Sequence, residues 1–274
     1  MASAMKDKLM KLLKAAIVFY VVVLIALFAM QRHLMYLPNR DIGAPDAYGV
    51  EAEVLTLTTP DEVQLQAWYL PAAQGMPTIL HLHGNAGNMS HRAETYRSYH
   101  DAGFGVLALE WRGYGKSTGS PSEEGFYTDA RTALDYLHKQ GIADNDIIIY
   151  GESIGTGAAV QMATEIDARA LVLEAPFTSL WQRAAEIHWY VPAKYLVLDR
   201  YDNLSKIKQV HEPLLIFHHR GDLIIPYRHG KALYEAANQP KQMLSFDGMQ
   251  HVRFDRPLLA QEMKEFLAQE AKIR

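Results

Sequence analysis

The chain has 274 residues, which is enough for one domain with a large buried core. Its formal net charge is −4, and because residues 1–32 carry +4, the remaining residues carry −8. An acidic body argues against nucleic acid as the main partner, since phosphate binding needs a basic surface. The chain contains no cysteine, which excludes a disulfide framework and a thiolate metal site.

The apolar segment from Ala15 to Met30 predicts a single transmembrane helix. It holds no charged residue and is bounded by Lys14 and Arg32, whose long side chains can reach the lipid headgroups. The alternative is a cleaved signal peptide, but the run is long for that class and lacks a small-residue cleavage site. Four lysines precede the segment. The positive-inside rule therefore predicts a cytoplasmic N-terminus and an extracytoplasmic body, in a periplasm or lumen.

Beyond the anchor, which is assigned to residues 1–36, the chain alternates short apolar runs with segments of helical length. A short linker is expected over 31–45, because Pro38 and Pro45 interrupt regular structure. Alternating strands and helices predict an α/β fold with a mostly parallel sheet flanked by helices. The predicted strands are 53–57, 64–69, 78–82, 105–109, 147–150, 170–173, 214–217 and 241–246, and the predicted helices include 125–140, 156–163 and 257–273.

Residues 151–155 read Gly-Glu-Ser-Ile-Gly and stand between a buried-strand pattern and a helix of small residues. A serine on a sharp strand-to-helix turn needs glycines on both sides, because the backbone is crowded there. The competing interpretation is a glycine-rich loop that opens a helix. The strand before and the helix after favour a nucleophile elbow, with Ser153 as the nucleophile.

A nucleophilic serine needs a base to remove its proton and a carboxylate to orient that base. On this type of sheet the order along the chain is serine, acid, histidine. Asp222 follows the strand 214–217 and is the predicted acid, and His251 follows the strand 241–246 and is the predicted base. Alternatives are a turn role for Asp222, a surface-loop role for His251, and Glu174 as the acid. His229 is expected on the helix after Asp222.

The oxyanion that forms on attack needs preorganised donors. The backbone N–H of Ile154 supplies one, and the glycine-rich loop 83–88 predicts the N–H of Asn85 as the second. A phosphate-cradling loop is the alternative, but neither nucleotide-binding glycine motif is present. Paired histidines invite a metal site, yet the zinc-binding helix motif is missing, so we expect no metal and no cofactor. These histidines are His81, His83, His218 and His219.

With these motifs in place, the chain resembles the α/β-hydrolase superfamily, and within it the membrane-anchored branch that includes α/β-hydrolase domain-containing protein 13 and the bud-emergence-suppressor proteins. The resemblance implies a single-pass anchor, a catalytic domain over 37–274 with a Ser-Asp-His triad, and hydrolysis of ester, thioester or amide bonds without a cofactor. One departure is that the family often has Asn-Asp after its histidine, whereas Val252 and Arg253 follow His251. The matching stretches are 31–38, 83–88, 112–117, 151–155, 175–179 and 221–226.

The leading hypothesis is a membrane-anchored serine esterase, carboxylesterase- or lipase-like, that acts on a small-molecule or lipid-derived acyl ester or thioester. A serine aminopeptidase-like amide hydrolase and a non-catalytic binding protein are the alternatives. The segment 174–213 leaves room for a small helical cap. Its aromatic residues have helical spacing, which favours core packing over a substrate cage. They are Phe177, Trp181, Trp189, Tyr190, Tyr195 and Tyr201.

Overall fold

The computed structural model describes residues 2–273, which form an α/β domain preceded by a long N-terminal helix. The strands are β1 (Leu37–Pro38), β2 (Glu53–Thr58), β3 (Gln64–Leu70), β4 (Thr78–Leu82), β5 (Ala86–Gly87), β6 (Gly105–Leu109), β7 (Ile147–Glu152), β8 (Ala170–Glu174), β9 (Leu214–His219) and β10 (Lys241–Phe246). The helices are α1 (Ala2–Met35), α2 (Ala93–Asp101), α3 (Glu123–Lys139), α4 (Gly155–Ala163), α5 (Leu180–Ile187), α6 (Ala193–Leu196), α7 (Asn203–Lys206), α8 (Tyr227–Ala236) and α9 (Arg256–Ile273).

Eight strands form one sheet in the order β10-β9-β8-β7-β4-β6-β3-β2. Every neighbouring pair from β10 to β6 is parallel, whereas β3 runs antiparallel to both β6 and β2. The central strands β4, β6, β7, β8 and β9 are buried along their whole length. Continuous apolar runs suit strands that are covered on both faces. The predicted mostly parallel sheet is therefore confirmed.

Two hydrophobic clusters sandwich the sheet, because alternate side chains of each strand point to opposite faces. On one face Ile149 and Leu171 pack with residues of α3, α4 and α8. On the other face Ile148 and Val172 pack with residues of α2 and α9. Three short helices, α5, α6 and α7, lie between β8 and β9 and form the small cap that the sequence predicts.

Several strands extend past their predicted ends. β7 continues through Gly151 to Glu152, and β8 continues to Glu174. Glu152 and Glu174 are opposite each other in the ladder. The apolar runs end earlier because polarity changes there, but backbone pairing does not depend on side-chain polarity. The strand ends therefore place two buried carboxylates next to the predicted nucleophile.

Helix α1 is the only described helix long and apolar enough to cross a membrane. It runs unbroken to Met35, so the prediction of a linker beginning at residue 31 was wrong at its start. The chain then pairs β1 with β5 instead of remaining irregular. The guanidinium of Arg32, near the end of α1, donates two hydrogen bonds to the Asp199 carboxylate of the cap, at 2.8 and 2.9 Å. The end of α1 is thereby fixed against the body.

Candidate active site

The turn between β7 and α4 holds Ser153 in a left-handed conformation, with φ 51°. A non-glycine residue is rarely found there, and such strain is a feature of functional turns. A Cβ at Gly155 would lie 2.0 Å from the Leu82 carbonyl oxygen, and one at Gly151 would lie 2.7 Å from the Ala159 Cβ. Both glycines are therefore required by close packing, as the Gly-x-Ser-x-Gly pattern predicts.

The three residues predicted as nucleophile, base and acid lie in one hydrogen-bonded row. His251 Nε2 is 2.8 Å from Ser153 Oγ, and His251 Nδ1 is 2.6 Å from Asp222 Oδ2. The serine directly follows β7, the aspartate follows β9 and the histidine follows β10. Residues separated by up to 98 positions meet because parallel strands present their carboxyl ends at one edge of the sheet.

The Asp222 carboxylate is held by several donors. Its Oδ1 accepts the backbone N–H groups of Ile224 and Ile225 at 2.8 and 2.9 Å, and His218 Nε2 lies 3.5 Å from Oδ2. Burial by itself would raise the pKa of Asp222, but the hydrogen bonds from His218, His251 and the backbone hold that pKa well below its usual range. The carboxylate is therefore charged where it meets the imidazole.

The alternative acid, Glu174, is occupied elsewhere. It accepts a hydrogen bond from Arg256 Nη1 at 2.7 Å and another from the Tyr150 hydroxyl. Burial raises the pKa of Glu174, against the opposing effect of Arg256. His229 lies on α8, as expected, where Nδ1 is 2.8 Å from Thr178 Oγ1. Among the described residues, the side chains of Glu174 and His229 make no hydrogen bond to Ser153 or His251, although the backbone carbonyl of Glu174 accepts the Ser153 N–H at 2.9 Å.

The two predicted oxyanion donors line the same pocket as Ser153. Within residues 2–273, the backbone N–H groups of Ile154 and Asn85 have no protein acceptor. The side chain of Asn85 is fixed by two hydrogen bonds to other parts of the chain. Its Nδ2 donates to the Met35 carbonyl at 2.5 Å, and its Oδ1 accepts the Tyr114 hydroxyl at 2.9 Å. The end of α1 thus helps to place the loop that carries Asn85.

A buried ion pair that the sequence analysis missed lies beside the nucleophile. Arg92 Nη2 is 2.7 Å from Glu152 Oε1, and the same oxygen accepts the Gly84 N–H at 3.2 Å. Burial alone would raise the pKa of Glu152, yet the Arg92 guanidinium holds it well below its usual range. An acidic residue at the buried strand end before the nucleophile needs a cationic partner, and this need is the sequence signal that could have predicted an ion pair. Nothing in the sequence singles out Arg92 as that partner.

The four histidines considered as metal ligands each stack on or lie within hydrogen-bonding distance of other groups of the protein. Burial lowers the pKa of His81 to about 3, so that ring is neutral, and it stacks on Tyr150. His83 Nε2 is 2.9 Å from the Glu110 carboxylate. His218 and His219 contact the backbone carbonyls of Ile225 and Arg253, respectively. No group of three metal-ligating side chains is found among residues 2–273.

The pocket at Ser153 has a volume of about 270 Å³, slightly below the usual range for small-molecule sites. Its apolar lining comes from α1, the cap and the loop after β9. Glu152 is its only described acidic lining residue, and Arg92 already neutralises that carboxylate. These apolar lining residues include Met35, Phe177, Leu180, Ile224 and Ile225.

Comparison with known proteins agrees with this fold. A family model described as serine aminopeptidase, S33, matches residues 75–209. The uncharacterized protein Rv2307c of Mycobacterium tuberculosis (strain ATCC 25618 / H37Rv) is 36% identical over 234 residues, which cover 84% of this chain and 83% of that protein. Lysophosphatidylserine lipase ABHD12 of Rattus norvegicus is 35% identical over 202 residues, but these cover 66% of this chain and only 50% of the lipase.

Solved structures show the same fold. The esterase Pf2001 of Pyrococcus furiosus superimposes with a TM-score of 0.69 at 21% identity, covering 86% of this chain and 97% of that one. An α/β hydrolase of Vibrio vulnificus gives a TM-score of 0.68 at 24% identity, covering 84% and 87% of the respective chains. The chain belongs to the α/β-hydrolase superfamily, a class of hydrolases whose members similar to it include a lipase and an esterase.

Proposed function

We propose that the protein is a membrane-anchored serine hydrolase that cleaves acyl esters or thioesters through an acyl-enzyme. The observation that carries the proposal is the row Ser153 Oγ, His251 Nε2, His251 Nδ1 and Asp222 Oδ2, with spacings of 2.8 and 2.6 Å on either side of the imidazole. In this arrangement the His251 imidazole can accept the proton of the Ser153 hydroxyl while the Asp222 carboxylate stabilises the resulting imidazolium.

In the first half of the reaction, Ser153 Oγ attacks the carbonyl carbon and its proton moves to His251 Nε2. The Asp222 carboxylate stabilises the imidazolium. The carbonyl oxygen becomes an oxyanion that accepts the N–H groups of Ile154 and Asn85. Collapse of the tetrahedral intermediate breaks the bond to the leaving alcohol or thiol, which takes the proton from His251 and leaves an ester on Ser153.

In the second half, His251 Nε2 removes a proton from water while the water oxygen attacks the acyl carbon of the Ser153 ester. The same two N–H groups stabilise the second oxyanion. Collapse returns the proton to Ser153 Oγ and releases the carboxylic acid. All proton transfers use residues already in contact, so the cycle requires no cofactor.

The pocket favours an ester over the N-terminus of a peptide. An aminopeptidase must recognise an ammonium group, for which a free carboxylate is the natural partner. The described lining offers only Glu152, and that carboxylate is paired with Arg92 at 2.7 Å. A lipase and an esterase among the similar proteins support the same choice. The serine aminopeptidase description of the family model keeps amide hydrolysis as the second candidate.

The anchor and the topology form part of the proposal. Residues 1–36 form the anchor, with Ala15 to Met30 in the bilayer, and residues 37–274 form the catalytic domain. The lysines before the apolar run favour a cytoplasmic N-terminus and a catalytic domain on the extracytoplasmic side. The 34-residue α1 is about 50 Å long, which is enough to cross the bilayer and reach the body.

The test compares wild-type protein with Ser153→Ala, using a fluorophosphonate probe and an acetyl ester. We expect wild-type protein to be labelled and active. The variant should lose labelling and at least about 10⁴-fold of the rate, because the nucleophile is removed. Labelling or full activity in Ser153→Ala would contradict the proposal. Cleavage of aminoacyl amides without ester cleavage would support the aminopeptidase, and an unlabelled, inactive wild-type protein would support a binding role.

A further inference from the structure

A second apolar cavity, of about 300 Å³, lies between α1 and the cap. Its size is at the lower end of the range for sites that bind small molecules. The walls come from both elements, so the anchor helix contributes directly to the cavity. Its apolar lining includes Leu27, Phe28, Leu34, Ala184, Ile187 and Leu196.

This cavity adjoins the pocket at the nucleophile. Met35 and Leu180 line both spaces, and Ser153 lines the second. The two spaces are therefore neighbours, and an alkyl chain running from Ser153 into the space beside α1 would contact Met35 and Leu180. An extended alkyl chain fits such a path, because it presents only apolar surface along its length.

Gln31 and Arg183, two of the three polar residues in the cavity wall, already have partners within the protein. The Gln31 amide donates to the Leu196 carbonyl at 3.1 Å and accepts the Leu198 N–H at 2.8 Å. Arg183 donates to the carbonyls of Leu223 and Ile224, at 3.2 and 2.8 Å. With these groups satisfied, the cavity offers a ligand mainly apolar contacts, and a polar ligand entering it would lose its hydrogen bonds to water.

The cap reaches the level of the apolar run in α1. The Tyr20 hydroxyl donates to the Tyr190 carbonyl at 2.6 Å. Tyr20 precedes Met30 by ten residues, or about 15 Å along the helix axis. On the same cap, the side chains of Trp189 and Tyr195 are 85% and 80% exposed. Exposed aromatic rings beside the apolar run would face lipid, so on the proposed placement of α1 the cavity opens toward the bilayer.

We propose that this cavity binds the fatty acyl chain of a lipid ester and that α1 forms one wall of the substrate site. The substrate enters from the bilayer with its chain between α1 and α5, and its carbonyl carbon reaches Ser153 Oγ. This inference rests on the proposed ester hydrolysis. It gives α1 a role in selecting the substrate in addition to anchoring the protein.

The test fills the cavity from its two walls, using the full-length chain in phosphatidylcholine vesicles and p-nitrophenyl acetate, octanoate and dodecanoate as substrates. The cavity variants are Leu27→Trp and Ala184→Phe. We expect kcat/KM for the dodecanoate to fall at least about tenfold and that for the acetate to change less than about twofold, because each buried methylene is worth about fourfold in binding. The octanoate should show an intermediate loss.

Matched control variants place the same side chains outside the cavity. Ile25 lies on α1, is 63% exposed and does not line the cavity, so Ile25→Trp should leave all three rates near wild type. Ala185 is next to Ala184 on α5 and also does not line it, so Ala185→Phe serves for the other wall. Equal losses on acetate and dodecanoate, or unchanged dodecanoate rates in both cavity variants, would overturn the acyl site.

A binding measurement separates this inference from the proposed function. A fluorescent dodecanoic acid should bind to Ser153→Ala protein and bind at least about tenfold more weakly when Leu27→Trp is added. If Leu27→Trp weakens binding as expected but the wild-type protein hydrolyses no ester, the cavity assignment is retained and the hydrolase is rejected. Ester hydrolysis without any effect of Leu27→Trp on binding would reject the cavity assignment alone.

Discussion

The guanidinium of Arg92 contacts the Glu152 carboxylate at 2.7 Å, and the same carboxylate accepts the N–H of Gly84. The pair connects the residue before the proposed nucleophile to the loop that carries the proposed second oxyanion donor, Asn85. It therefore couples the positions of the two halves of the site, although neither charged group lies in the proposed proton path.

Replacing Arg92 by methionine tests this positioning role. The variant leaves a buried carboxylate without its cation, which should cost about 3 kcal/mol in the free energy of unfolding. We also expect kcat to fall about tenfold with little change in KM, because the Gly84 loop loses its support while the pocket walls remain. Arg97→Met removes an exposed guanidinium and is the matched control. A wild-type kcat in Arg92→Met would argue against positioning by charge. So would a kcat in Arg92→Lys as low as that of Arg92→Met.

The choice between two acids is tested by a pair of isosteric amides. Asp222→Asn should lower kcat by about 10⁴-fold, because an amide neither holds the required imidazole tautomer nor stabilises the imidazolium. Glu174→Gln should keep kcat within about tenfold of wild type. Its effect should appear in urea unfolding, since Arg256 loses a buried charged partner. The reverse ranking of the two kcat values would transfer the acid role to Glu174.

The lowered pKa of Asp222 predicts how stability changes with acid. An aspartate normally titrates near 3.9. Because the folded-state pKa of Asp222 lies below that value, its contribution is complete above about pH 5 and is lost as the pH falls toward the folded-state pKa. Between pH 5 and pH 3, the free energy of unfolding should thus fall less steeply in Asp222→Asn than in wild type. Asp167→Asn, which changes an exposed aspartate, is the control. Its free energy of unfolding, measured by urea titration at each pH, should change with pH as in wild type. Parallel slopes for all three proteins would contradict the prediction.

The natural absence of cysteine allows a direct test of topology. Single-cysteine variants Ser3→Cys and Asp167→Cys place a thiol on either side of the proposed span. In intact cells, an impermeant maleimide should label Asp167→Cys and leave Ser3→Cys unlabelled until the cells are lysed. Labelling of Ser3→Cys alone in intact cells would invert the orientation. Release of the Asp167→Cys body from membranes in a shortened form would support a cleaved signal peptide.

Local patterns were sufficient to predict most of the fold. Apolar runs located β4, β6 and β10 at their observed ends, because hydrophobic patterning is a property of neighbouring residues. The elbow conformation at Ser153 was also predictable, since the glycine spacing reflects crowding within a few residues. The order of residues along the chain then placed Asp222 and His251 after the correct strands.

The sequence alone determined the α/β architecture, the apolar N-terminal segment and the position of the strained serine, because each depends on residues close in the chain. Only the tertiary structure showed that Glu174 is occupied by Arg256, whose partner lies 82 positions away. It also showed that, in the aromatic segment, Phe177 is buried whereas Trp189 is exposed. Helical spacing groups side chains on a face but does not determine what that face contacts. The surfaces that a helix face contacts come from distant segments of the chain. The cavity between α1 and the cap is likewise formed by segments far apart in the sequence, so only the tertiary structure showed it.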